Sequence, residues 1–128
     1  MRKLGIPLAV LLLLSGRALV GVPAQQQEDP KTKAEGWIAQ ADSVKALVET
    51  VLAGAVEAGA AEHAVAKDQV NDARRWTAEG EKALLAAKEA YEAADYTGAG
   101  NKGNLAWQYY VKAGTAAVLA GKLVSGGS

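Results

Sequence analysis

Residues 66–94 read AKDQVNDARRWTAEGEKALLAAKEAYEAA, and their spacing decides the fold. Ala66, Val70, Ala73, Thr77, Gly80, Leu84, Ala87, Tyr91 and Ala94 recur at intervals of four and three throughout. That rhythm places one apolar seam on one side of a long helix. Most seam residues are small, so a partner helix can approach closely while little area is buried per residue. An alanine contributes well under the ~1.5–3 kcal/mol of a buried leucine or valine. Trp76, Leu84 and Leu85 are therefore expected to carry much of the core energy.

The same rhythm occurs on both sides. Upstream, Trp37, Ala41, Val44, Val48, Val51 and Ala55 form a stripe widened by Ile38, Leu47 and Leu52. Asp29 followed by Pro30 is a helix start, with the carboxylate as cap and proline in the first turn; Thr32 with Glu35 offers a second cap. A turn is expected near Gly59. Downstream, Ala106, Tyr110, Ala113, Ala117, Ala120 and Val124 follow the four–three spacing, flanked by Trp107, Val118, Leu119 and Leu123. Between the second and third stripes, Gly98, Gly100 and Gly103 with Asn101 and Asn104 read as a reversal. It would bring Tyr91 against Ala106 or Tyr110, with Thr97 or Asn104 capping the third helix.

Composition agrees. Alanine dominates, phenylalanine is absent and no proline follows Pro30. No segment alternates β-branched and polar residues as a strand would. The expectation is an all-α chain forming an antiparallel three-helix bundle, the alternative being helical hairpins in a repeat-like stack.

The stretch Ala83 to Ala120 carries Ala90-Tyr91, then Asp95-Tyr96 and Ala99, then a small-residue helix through Ala106, Ala113 and Ala117. It resembles a tetratricopeptide-type helical hairpin. That resemblance implies two helices locked together by an aromatic near the end of the first and by the Asp-Tyr turn.

The N-terminus addresses the chain. Arg2 and Lys3 precede an apolar run from Leu4 to Leu14, and Val22-Pro23-Ala24 supplies small residues for cleavage. This is the pattern of a secretory signal peptide. Its apolar core is shorter than the roughly 20 residues needed to span a bilayer. The expected division is residues 1–24 as signal peptide, 25–31 as a mobile polar segment and 32–124 as the helical domain. Export to the periplasm or outside the cell follows, with membrane attachment only through an uncleaved signal peptide.

Removing Arg2, Lys3 and Arg17 leaves 11 basic against 14 acidic residues. This balance argues against a nucleic-acid partner, which calls for a basic stripe, and against a polybasic membrane-surface segment. No cysteine is present, which excludes disulfides, thiolate metal sites and c-type haem attachment.

Catalytic signatures are thin. His63 is the only histidine, whereas zinc and copper sites generally draw on two or more His or Cys ligands. It reads as a boundary residue near a helix start. Glu79, Glu81, Glu89 and Glu92 lie among Lys82 and Lys88 as a solvated helix face rather than an acid pair in a cleft. Gly98-Ala99-Gly100-Asn101-Lys102-Gly103 lacks the ending and the preceding strand of a phosphate loop. Arg74-Arg75 is a short basic pair, one member of which is expected to reach an acid on the first helix. No catalytic residue, cofactor site or metal site is assigned, and the chain is read as a non-enzyme.

The aromatics are the remaining candidates. Trp37, Trp76, Tyr96, Trp107, Tyr109 and Tyr110 stand out in a chain of alanine and valine, either as core fillers or as the lining of an interaction surface or groove. One Trp falls on each helix, so the three can form a common layer; Tyr109 and Tyr110 are adjacent, so one of them must reach the surface. The function expected is a small exported helical structural or interaction protein of a bacterial envelope. It would present a helical surface to a protein partner or to itself. The alternative is a carrier or sensor holding a small apolar ligand between its helices.

Overall fold

The computed structural model describes residues 29–126. The signal-peptide reading and the polar residues before Asp29 lie outside them. Three long helices follow in order: α1 (Pro30–Glu57), α2 (Ala66–Glu92) and α3 (Tyr96–Gly126). A 3-10 turn at Ala60–Glu62 joins the first two. No strand occurs among the described residues. The chain is an all-α up–down–up bundle, with α1 and α3 parallel and α2 antiparallel to both.

Each boundary has a local cause. The Asp29 carboxylate accepts the Thr32 backbone N–H at 2.7 Å, with Pro30 in the first turn. That hydrogen bond holds the Asp29 carboxyl below its ordinary value of 3.8. The cap therefore works above that pH and weakens as acid protonates it. Gly59 turns the chain out of α1 in the left-handed region, φ 99°, which glycine adopts at little cost. The His63 imidazole then caps α2: its Nδ1 accepts the backbone N–H groups of Val65 and Ala66 at 3.1 and 3.0 Å.

The second reversal differs from the sequence expectation. It occupies only Ala93, Ala94 and Asp95, with Ala94 at φ 64° and the Asp95 N–H donating to the Ala90 carbonyl at 2.8 Å. Asp95 caps α3 by accepting the Gly98 N–H at 3.0 Å. The glycines expected to form the turn lie inside the helix. Gly98 lies against the carboxylate of its cap Asp95, while Gly100 faces Ala34 and a Cβ on Gly103 would stand 3.0 Å from the Trp37 Cβ and 3.3 Å from the Ile38 nitrogen. The bare backbone at Gly100 and Gly103 lets α3 lie close along α1.

α3 is the spine of the bundle. Both α1 and α2 pack along it, whereas α1 and α2 meet each other far less. The core is almost wholly alanine, with Val48, Val70, Leu84 and Tyr110 as its only larger members. Ala34, Ala41, Val48 and Ala55 are the buried positions of α1, a strict seven-residue repeat, while Trp37, Val44 and Val51 flank it half-buried. The α2 seam is buried as expected from Ala66 to Ala87, except that Thr77 is half-buried. Two leucines expected to share the load separate: Leu84 is buried, but Leu85 is 59% exposed. One position is 100° around the helix, enough to carry Leu85 off the seam. Ala94, the last seam residue in sequence, is exposed in the turn.

Candidate interaction surface

The six aromatics singled out in the sequence fall into separate contacts rather than one lining. Trp37 and Trp107 pair across α1 and α3, ring centroids 5.7 Å apart. Trp76 stacks on Tyr109 across α2 and α3 at 5.6 Å. Arg75 and Lys112 lie over the Trp76 ring, 5.0 and 4.5 Å from its centroid, positions in which cations are attracted to an indole face. Tyr96 meets Tyr91 edge-on at 5.2 Å, with Lys31 over its ring. The three tryptophans therefore do not share one layer: two close the α1–α3 flank and the third closes the α2–α3 flank. All three are half-buried.

Tyr110 and Tyr109 divide as their adjacency requires. Tyr110 is fully buried, its ring under Gly80, where an added Cβ would lie 2.7 Å from the ring. Its hydroxyl, like that of Thr77, is buried without a hydrogen-bonding protein partner. Burial, and then the carboxylates of Glu81, Glu49 and Asp42, push the Tyr110 phenol above its ordinary value. Tyr91 turns to α1 rather than into the hairpin core. Its hydroxyl donates to the Glu35 carboxylate, and that bond raises the phenol to about 12.

Two hollows open on the surface. A groove of about 390 Å³ lies between α1 and α2, with Ile38, Ala39 and Tyr91 as its apolar part and Glu35, Asp42, Lys88 and Glu92 around them. Lys88 donates to Asp42 across it at 3.3 Å. A hollow of about 330 Å³ at the other flank of α1 is bordered by Trp37, Tyr96, Asn101 and Asn104. Trp76, Trp107, Tyr109 and Tyr110 line neither of these hollows.

Candidate chemistry stays dispersed. His63 is engaged as a helix cap. Glu79 pairs with Lys82 on its own helix at 3.4 Å, and Arg75 pairs with Asp72 of α2 rather than with an acid on α1. Among the described residues, no three His, Cys, Asp or Glu side chains gather as metal ligands, and no helix is long and apolar enough to cross a membrane.

The charge is unevenly placed. α3 contains no carboxylate at all, only Lys102, Lys112 and Lys122. The acids lie on α1, α2 and the connections. The surface of α1 turned toward α2 carries Glu35, Asp42 and Glu49; the surface turned the other way, beside Trp107, carries Val44, Leu47 and Val51. Leu47 is 61% exposed, more than any other large apolar residue described. From the sequence alone, Leu47 only widens the α1 stripe. Its signal was available: it sits 100° from the Val48 seam, on the side where Gly36, Gln40, Ser43 and Gly54 are also uncharged.

No family model, curated protein or solved structure matches the chain. The tetratricopeptide-type resemblance therefore rests on the residues quoted for it alone.

Proposed function

We propose that this chain is a small exported helical interaction protein of the bacterial envelope, acting through a surface offered to another protein or to a second copy of itself. The observation that carries this reading is the exposure of Leu47, Val111 and Val118, which helix geometry places on adjoining sides of α1 and α3 in a stretch without charge. Soluble proteins seldom leave such side chains together in water unless something covers them. Export rests on the residue 1–24 pattern. A non-catalytic role is supported by the engagement of His63 as a cap and by the dispersed carboxylates. The groove floored by Ile38, Ala39 and Tyr91 favours the second reading, a carrier of a small apolar ligand; a panel of lipids that leaves the melting temperature unchanged would count against it.

A photo-crosslinking residue placed at position 47 in living cells tests the main reading. Discrete adducts at 47, absent when the same residue stands at position 82 on α2, are expected. No adduct at 47 under conditions that label a known complex would refute the interaction reading. Intact-mass analysis of the same material reads the N-terminus, and retention of Met1 to Ala24 would replace export of a cleaved chain by a membrane tether.

A further inference from the structure

We infer that the uncharged flank of α1 and α3 is the interface of a symmetric homodimer. The inference deepens the reading just given and rests on it. Three flanks surround this bundle, and their chemistry differs. The α1–α2 flank carries Glu35, Asp42, Glu49 and Glu81, with Lys88 bridged to Asp42 among them. The α2–α3 flank carries Arg75 and Lys112 over Trp76. The α1–α3 flank has Val44, Leu47 and Val51 on one helix and Trp107, Val111 and Val118 on the other.

The register follows from the packing. Trp37 sits beside Trp107, and a Cβ on Gly114 would lie 3.3 Å from Val48. At 100° per residue, Val44, Leu47 and Val51 then project on the side of α1 adjoining the side of α3 that bears Val111 and Val118. Between Lys33 at one end and Glu57 and Lys122 at the other, neither helix places a charged residue on this flank. Gly36 and Gly54 have open space where a Cβ would stand, so backbone as well as side chain is available to a second surface.

A second copy is the occupant these features favour. A two-fold axis brings a surface against itself, so a charge lying on the axis would meet its own copy. The other two flanks carry charged side chains of both signs, Lys88 with Asp42 on one and Arg75 with Asp72 on the other, and an axis through either has to keep clear of them. The α1–α3 flank has no charge to place there, so it meets itself without that repulsion wherever along the strip the axis falls. It also lacks charges with which to select a different protein electrostatically, and its aliphatic and tryptophan content resembles a homodimer core. The size is adequate. From Gly36 to Gly54 the strip is roughly 28 Å long at 1.5 Å per residue, and two adjacent helices are about 20 Å wide. That gives on the order of 560 Å² per copy, or about 1,100 Å² in total, just above the ~1,000 Å² expected of a specific interface.

Light scattering on the full chain as recovered from cells, from about 1 to 100 µM, tests this. Wild type is expected at twice the chain mass. Leu47→Glu and Val111→Glu should each halve that mass while circular dichroism stays helical, and Leu85→Glu, on α2 away from this flank, should leave it unchanged. Because the chain has no cysteine, Leu47→Cys adds an independent readout that needs no disruptive charge: a bifunctional maleimide should join two copies through position 47 far more than through Leu85→Cys. A monomer throughout, a dimer indifferent to both glutamates, or equal crosslinking at 47 and 85 overturns the inference. A monomer that still gives an adduct with a different protein at position 47 would end the homodimer and leave the interaction reading intact.

Discussion

α3 meets its two neighbours by different means. Against α1 it is smooth: Gly100, Gly103, Gly114 and Gly121 line the contact, and the backbone itself approaches Ala34, Trp37 and Ile38. Against α2 it inserts one ring, Tyr110, into the notch left by Gly80. Both seams solve the problem of a core built from alanine, where no leucine layer is available to fill space. One removes side chains so that helices close up; the other concentrates the apolar area in one large residue. The α1–α2 pairing does neither. It is spanned at the rim by Lys88–Asp42 and Tyr91–Glu35, between exposed or half-buried groups. Such bridges are worth little in water.

The sharpest way to break the α2–α3 seam is to remove its other large member. Leu84→Ala should cost about 2–4 kcal/mol by urea unfolding, while Leu85→Ala, one residue along but exposed, should stay within about 0.5 kcal/mol. Equal losses would mean that α2 is rotated from the position described. With so few large buried side chains, the Leu84 cost is a large share of the stability of a small domain.

The glycines set the two seams against each other directly. Alanine is the better helix former by up to about 1 kcal/mol. Yet Gly80→Ala would push a methyl to 2.7 Å from the buried Tyr110 ring, and Gly103→Ala to 3.0 Å from the Trp37 Cβ. Each should destabilise by about 1–3 kcal/mol despite the gain in propensity. Gly36→Ala, with nothing of its own chain within 4 Å, should stabilise by about 0.5–1 kcal/mol when compared in the Leu47→Glu background, where the α1–α3 flank is uncovered. Thermal melts of the three variants separate packing glycines from incidental ones. A stabilising Gly103→Ala would mean that α1 and α3 are not in close backbone contact.

These glycines also mark how far the sequence could be read. The four–three spacing carries the helices, their order and most of the seam, because burial of every third or fourth residue is a local property. The Asp29 cap and the Gly59 turn are local too. What spacing does not reveal is what a glycine is for. Gly98, Gly100 and Gly103 have the composition of a loop, but Asp95 starts a helix before them, and contact with Trp37, far away in sequence, explains Gly103. The reversal itself falls on Ala94, whose left-handed backbone has no compositional signal. The aromatics show the same limit. That Tyr109 and Tyr110 cannot both face the core follows from adjacency, whereas Trp37 choosing Trp107, and Trp76 choosing Tyr109, depends on which flanks of the helices meet. The candidate surface at Leu47 was partly legible, as uncharged positions on one side of α1, but only the placement of α3 shows that Val111 and Val118 extend it.

The weakest pairing gives the smallest and most specific effect. The Tyr91 hydroxyl donates to Glu35, so its proton is held more firmly in the folded chain than the ordinary phenol value of 10.0 implies, and its titration moves to about 12. Burial raises Tyr110 as well. Because both folded values lie above the unfolded one, the stability linked to these phenols is complete below pH 10 and is lost as the pH rises through the folded values. Tyrosinate absorbance should therefore develop in more than one step. Tyr91→Phe should delete a component with its midpoint at about 12, and Glu35→Gln should move that component down, since the amide no longer offers a carboxylate to the phenol. Both variants should leave the α3 seams, and hence the helical signal at neutral pH, unchanged. If Glu35→Gln leaves the titration where it is, Tyr91 does not reach α1 in solution, and Lys88–Asp42 is the bridge left at that rim.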